Sequence, residues 1–133
     1  MKSTPFDVDK DIEPIPFTDE LCSQAQKMKE NGLDWTPHVG CFVWDPEHHI
    51  DVDSPFPNRI YFILNLGHFH RIFTDSKNMV AKLVWLPTWH QARLVAVKIG
   101  VPAEKIETLV QGAIQPGLEL SRLYELINRY LTK

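Results

Sequence analysis

The sequence predicts an α+β domain that is mostly helical, in which a two-stranded antiparallel hairpin packs with four or five helices. Two short runs rich in β-branched and aromatic residues, 39–44 and 59–66, are typical of strands. A helical apolar pattern follows Thr18, and three more follow Thr88. With 133 residues, of which 44% are hydrophobic, the chain has the size of one domain with its own core.

The N-terminal part divides at Thr18. Residues 1–17 are acidic and hold three prolines, so they are expected to form an extended arm. Residues 18–133 are expected to form one mixed domain. Its first helix should begin after Thr18, a favourable N-cap residue, and end near Gly32.

A long loop, 45–58, joins the two predicted strands. Its length and its aspartate, glutamate and histidine content suit metal ligands or general bases, although a solvated acidic loop is the favoured interpretation. A helix should then begin at Asp75 and end at Pro87, since proline cannot continue a helix. Four residues would share its apolar face: Met79, Val80, Leu83 and Val84. Trp85 and Trp89 are expected to stack beside Pro87 in the core, with a ligand-binding aromatic box as the alternative.

Three helices are expected after Thr88. Thr88 and Gln91 have the spacing of a capping box. Gly100 should end the first helix, and Pro102 should open the second. Because only Gly100 and Val101 separate these helices, they should meet at a steep angle. Apolar residues recur at helical spacing in all three: Ala92, Val95, Ala96 and Ile99, then Ile106, Leu109, Val110 and Ala113, then Leu120, Leu123, Tyr124, Ile127, Tyr130 and Leu131.

Small and apolar residues in this region follow a recognisable order: Val95-Ala96, Ile99-Gly100-Val101, Ile106, Leu109, Gly112, Pro116, Leu118 and Leu123. In this order, residues 91–127 resemble the helix-turn-helix of the Cro and phage-repressor family. The resemblance implies a helix-turn-helix-like part over 88–131, whose second helix would face DNA. The residues that would then contact nucleic acid are Gln91, Arg93, Lys105, Thr108 and Gln111.

Several positions depart from that family. Pro102 stands where its recognition helix usually opens with a hydroxyl residue, and Glu104 and Glu107 would repel phosphates. Val97 and Val110 are apolar where the family is usually charged. They should therefore be covered, either by the N-terminal half of the chain or by a second subunit.

The charge is distributed unevenly along the chain. Residues 1–87 hold 8 Lys/Arg and 13 Asp/Glu, a net of -5, whereas residues 88–133 hold 6 and 4, a net of +2. The total of -3 excludes a general polycation. A basic C-terminal part suits a DNA-facing surface, but ordinary solvated faces would give the same difference.

All six histidines lie between residues 38 and 90. If residues 68–70 were extended, one possible zinc set would comprise His38, Cys41, His68 and His70. Unrelated histidines are the favoured interpretation, and no cofactor is predicted. The two cysteines form no C-x-x-C pair, and the sequence has neither an apolar leader nor a run of membrane-spanning length. The expected location is the cytoplasm, without membrane contact.

These features favour a non-catalytic interaction or regulatory protein. Its helical C-terminal part would bind DNA or a protein, and a homodimer is possible. Glycine clusters for phosphate binding and a G-x-S-x-G elbow are absent from the sequence. The alternative is a small-molecule or metal-dependent enzyme that uses the 45–58 loop and the nearby histidines.

Overall fold

The computed structural model describes Asp7, residues 9–111 and residues 117–133. This part of the chain forms six helices and a three-stranded antiparallel sheet. The helices are α1 Asp19–Glu30, α2 Leu66–Phe73, α3 Ser76–Lys82, α4 Trp89–Lys98, α5 Ala103–Val110 and α6 Leu118–Leu131; the strands are β1 Phe42–Trp44, β2 Ile60–Phe62 and β3 Val84–Leu86. The α+β class is confirmed. The prediction of two strands is wrong, and helices take about half of the chain rather than most of it.

Strand β1 lies at the centre of the sheet, in the order β2-β1-β3. Val43 of β1 pairs with Tyr61 on one side and with Trp85 on the other. The predicted antiparallel pairing of 39–44 with 59–66 is therefore confirmed, over a shorter stretch. Backbone hydrogen bonds extend the hairpin at both ends: Gly40 N donates to Ile63 O and Ile63 N donates to Cys41 O, both at 2.9 Å, and Asp45 N donates to Arg59 O at 3.1 Å.

The third strand replaces the end of a predicted helix. Asp75 caps α3 by accepting a hydrogen bond from Asn78 N at 2.9 Å, so the predicted start is confirmed. The helix ends at Lys82 instead of at Pro87. Val84 and its neighbours leave the helix because they pair with the edge of β1 that β2 leaves open, and Val84 and Leu86 are buried there. Apolar periodicity over so few residues does not distinguish the two states.

Helix α2 was not predicted, because the sequence suggested a strand through residue 66. The Asn65 side chain accepts a hydrogen bond from Gly67 N at 2.9 Å and caps the helix. Phe69 and Phe73, four residues apart, are buried on one helical face. Gly67 therefore lies in the first turn of a helix, and the strand predicted to run through residue 66 already ends at Phe62.

Two cores lie on the two faces of the sheet, since alternate strand residues point to opposite faces. Ile60, Val84 and Leu86 belong to the first core, which α1, α4 and α6 cover. Val43 and Tyr61 belong to the second core, with apolar residues of α2 and α3. The result is a three-layer arrangement of helices, sheet and helices.

The N-terminal arm joins the first core before α1 begins. Ile15 and Phe17 are both buried there. Thr18 then caps α1, as predicted, by accepting a hydrogen bond from Leu21 N at 3.2 Å. The predictions for Gly112, Ala113 and Pro116 lie outside the described residues.

Candidate interaction surface on helices α4 and α5

Helix α4 is fixed by its inner face and its N-terminus. Thr88 Oγ1 accepts from Gln91 N at 3.2 Å, and Gln91 Oε1 accepts from Thr88 N at 3.0 Å, so the predicted capping box is confirmed. Ala92 and Ala96 are fully buried in the first core. Their small side chains let α4 pack closely against α6.

The predicted interruption after α4 is also present. Gly100 has a φ of +94°, which favours glycine. Its N–H donates to Val97 O at 3.1 Å, and the N–H of Val101 donates to Ala96 O at 2.9 Å. These two bonds form a Schellman motif, which ends the helix and buries Val101. Helix α5 starts at Ala103 with Pro102 as its N-cap residue.

The outer side of α4 carries apolar residues in solvent. Leu94 is 58% exposed and Val97 is 63% exposed. Because they are three residues apart on a helix, they lie on the same face. Arg93 and Lys98 are exposed beside them, and residues 89–98 include no acidic residue. We call these four residues, Arg93, Leu94, Val97 and Lys98, the α4 outer face.

Val97 and Val110 were predicted to be covered by the N-terminal half of the chain or by a second subunit, and the structure tests the first of these alternatives. Val110 of α5 is 43% exposed. The described part of the N-terminal half therefore leaves both side chains exposed to solvent and does not provide the predicted cover. Leu94 was missed by the sequence analysis, although it lies three residues before Val97 and outside the Ala92–Ala96 stripe.

The five residues proposed to contact nucleic acid differ in solvent exposure and in the contacts that they already make within the fold. Arg93 and Gln111 are exposed. Gln91 is partly buried, and besides capping α4 its Nε2 donates to Gly40 O at 3.4 Å. Thr108 Oγ1 donates to Glu104 O at 2.7 Å, within α5. Lys105 Nζ lies 5.4 Å from the centre of the Tyr130 ring, in a cation–π contact.

Helix α5 rests on α6 through few buried groups. Ile106 is its one buried residue. Arg122 of α6 donates from Nη1 to Leu109 O at 3.0 Å and to Gln111 O at 3.2 Å, which satisfies carbonyl groups at the end of α5. Glu104 and Glu107 remain exposed on α5, so this helix presents carboxylates beside its donors.

The histidine and cysteine residues of the alternative zinc set do not come together. His38 is exposed, and its Nδ1 lies 2.8 Å from Val39 O. Cys41 is a fully buried free thiol in the second core. His68 and His70 lie two apart on α2, and His70 Nε2 is 2.9 Å from Ser76 Oγ. Across the described residues, no three His, Cys, Asp or Glu side chains are grouped to hold a metal ion.

The 45–58 loop is tied down by a buried carboxylate. Asp45 is fully buried and accepts hydrogen bonds from Ile50 N at 2.8 Å, His49 N at 3.0 Å and Arg59 Nη2 at 2.8 Å. Tyr61 further holds the loop by donating from its hydroxyl to Val52 O. The expectation of a solvated acidic loop is wrong at Asp45, because its charge is used inside the fold.

The pKa of Asp45 reflects this environment. Burial acts to raise it, but hydrogen bonds from the Ile50 amide and the Arg59 guanidinium outweigh burial and hold it below its ordinary value. Burial also raises the pKa of the Cys41 thiol, and that of Cys22 to about 12, with Asp19 contributing to the latter. These thiols are therefore protonated and poor nucleophiles at neutral pH.

The tryptophans form a different pair from the predicted one. Trp85 stacks on Trp35, with ring centres 5.9 Å apart and planes inclined by 12°. Trp89 instead packs against the first core. The expected Trp85–Trp89 stack is wrong, because Trp85 lies on β3 and packs against the second core, whereas Trp89 begins α4 and packs against the first core.

Comparisons with protein-family models, with curated proteins and with solved structures gave no match. Among the described helices, none combines the length and apolar character needed to cross a bilayer.

Proposed function

We propose that this chain is a non-catalytic interaction protein that binds a protein partner through the α4 outer face. The carrying observation is the exposed pair Leu94 and Val97 on a helix whose opposite side is fixed in the core. Full burial of an exposed side chain of this size contributes about 1.5–3 kcal/mol, and Leu94 and Val97, which are 58% and 63% exposed, would each gain part of that on association. The fixed inner side means that little conformational entropy is lost on binding.

The partner chemistry follows from the charges around the apolar pair. Arg93 and Lys98 are exposed, and α4 itself offers no carboxylate to neutralise them. A complementary segment would place apolar side chains on Leu94 and Val97, with acidic residues around them. Pairing α4 with α4 of a second copy would instead oppose like charges, so a different protein is favoured over the homodimer.

Duplex DNA is the second candidate, and exposed Arg93 and Gln111 favour it. Gel-shift titration with random duplex DNA at low salt distinguishes the two, because phosphate contacts are strongest there. With a protein partner we expect no shift. A shift that is lost when Arg93→Ala and Lys105→Ala are combined would replace the protein partner with DNA.

The decisive experiment compares three immobilised proteins in capture from a lysate of the source cells: the natural chain, the double variant Leu94→Glu with Val97→Glu, and the control Ile72→Glu. Ile72 is 44% exposed on α2, so the control places a glutamate at another apolar surface site. We expect a protein that the natural chain and the control retain and the double variant loses.

Direct titration of that purified protein completes the test. Its affinity should fall at least about tenfold with Arg93→Glu, since an attraction becomes a repulsion. Equal capture by all three proteins would contradict the proposal. Sedimentation of the purified chain should show a monomer, and a dimer disrupted by the double variant would instead identify a second copy as the partner.

A cytoplasmic location is part of the same proposal. Cys22 and Cys41 are both free and buried, which suits a reducing compartment. No cofactor is proposed, since the interaction needs only the α4 outer face.

A further inference from the structure

Strand β2 forms one edge of the sheet, and the outer side of this edge is open beyond Ile60. Arg59 O and both backbone groups of Ile63 bond to the β1 side of the hairpin. Because successive strand residues direct their backbone groups to alternate sides, the N–H and C=O of Phe62 point away from β1. No turn, loop or side-chain hydrogen bond among the described residues involves either group. Phe62 therefore presents a donor and an acceptor at a free sheet edge.

The side chains of this strand lack the features that usually protect a sheet edge from a further strand. Residues 60–64 read Ile-Tyr-Phe-Ile-Leu, without a charge or a proline. Phe62 is 37% exposed and Leu64 is 75% exposed, so the open edge is also apolar. The opposite edge of the sheet differs, since Trp35 stacks on Trp85 of β3 there. The β2 edge therefore suits an extended chain with apolar side chains.

The 45–58 loop closes the same edge at Ile60 and brings a negative charge beside it. The Ser54 hydroxyl donates to Ile60 O, which occupies the outer side of the strand at that residue. Asp53, the residue before Ser54, is exposed, and none of the ion pairs among the described residues includes it. An added strand could therefore pair with Phe62 but not with Ile60, and the part of it that approaches the loop would meet a carboxylate.

We infer that the β2 edge binds an extended basic segment of another protein, which adds a fourth, antiparallel strand to the sheet. One apolar residue of this segment would exchange two backbone hydrogen bonds with Phe62 and pack beside its ring. A lysine or arginine two residues further along the segment, about 7 Å away, would pair with Asp53. A second copy of β2 would bring residues 60–64, which hold no lysine or arginine, so it would leave that charge unpaired. This edge is separate from the α4 outer face, which carries the opposite charge.

The probe is the peptide acetyl-Thr-Val-Thr-Val-Thr-Lys-amide, whose second valine would lie opposite Phe62 and whose lysine would lie beside Asp53. One control peptide carries an N-methyl group on that valine, which removes the donor to Phe62 O, and another has glutamate in place of lysine. Binding is followed by NMR through the shift and the hydrogen exchange of the Phe62 backbone N–H. We expect saturable binding that shifts this resonance and slows its exchange. The N-methylated peptide should bind at least about tenfold more weakly, and the glutamate peptide at least about threefold.

A matched pair of variants tests the charge contact from the side of the protein. Asp53→Lys should make the glutamate peptide bind more tightly than the lysine peptide, because the attraction and the repulsion exchange places. The control is Asp34→Lys, at an exposed aspartate that lines a cavity together with Trp85 of β3, and it should keep the original order of the two peptides. Both variants alter exposed side chains, so they should fold.

An unchanged Phe62 resonance at millimolar concentrations of the lysine peptide would overturn the inference. Equal binding of the N-methylated peptide would do the same, as would an unaltered order of the two peptides with Asp53→Lys. Exchange of the Phe62 N–H that slows with rising protein concentration, without peptide, would identify a second copy as the occupant instead. None of these results bears on partner capture, since that test changes Leu94 and Val97 on α4.

Discussion

The 45–58 loop has little regular secondary structure, yet its backbone is fixed by the buried carboxylate of Asp45. Helix α4 is regular, yet it leaves Leu94 and Val97 in solvent. A helix satisfies its backbone groups internally, so its faces are free to differ in burial. A loop near the core must instead find side-chain partners for its backbone. Regular structure and burial are therefore separate properties in this protein.

Removing the carboxylate is the strongest test of this comparison. Asp45→Ala should lower the free energy of unfolding by roughly 3 kcal/mol, because several hydrogen bonds to a charged group are lost together. Chemical denaturation measures it. Asp51→Ala, at an exposed aspartate of the same loop, is the control and should stay within about 0.5 kcal/mol. Equal effects would mean that Asp45 does not organise the loop.

The pH dependence of the unfolding free energy is a second test of the contribution of the Asp45 carboxylate. Because the pKa of Asp45 is lowered in the folded chain, its carboxylate stabilises the fold above the unfolded value of about 3.9, and this contribution is lost as the pH falls further. The difference in unfolding free energy between the natural chain and Asp45→Asn should therefore shrink in acid. Denaturation series at several pH values measure it; a constant difference would contradict the assignment.

The buried contact that joins α6 to the start of α4 should make an intermediate contribution to the free energy of unfolding. Tyr124 of α6 is fully buried and donates its hydroxyl hydrogen to Pro87 O, just before α4. Burial raises the pKa of this phenol well above its ordinary value, so it stays protonated as a donor. Tyr124→Phe should cost about 1–2 kcal/mol of unfolding free energy. Tyr130→Phe, at a partly exposed phenol of the same helix, should cost less.

The outer face of α4 should give the smallest effect on stability. Leu94→Ser combined with Val97→Ser should change the unfolding free energy by no more than about 1 kcal/mol, since both side chains are already exposed. Thermal unfolding measures this. A loss of several kcal/mol would show that these side chains are buried in solution, and the contrast between loop and helix would disappear.

Much of the helical structure follows from local sequence. Thr18 and Thr88 cap α1 and α4 as predicted, and Gly100 ends α4. These features depend on residues within one helical turn, so a single sequence reveals them. The same local pattern located the α4 outer face only in part, since Val97 was noticed and Leu94 was not.

The sequence alone determined the α+β class, the central hairpin and the helix boundaries that capping residues specify. Tertiary structure decided that Val84 joins a strand, that Asp45 is paired with Arg59, and that Trp85 stacks on Trp35. The physical reason is separation along the sequence. A capping residue forms its hydrogen bonds within one helical turn, whereas these contacts join residues at least 14 positions apart. Their energies depend on which distant segments the folded chain brings together.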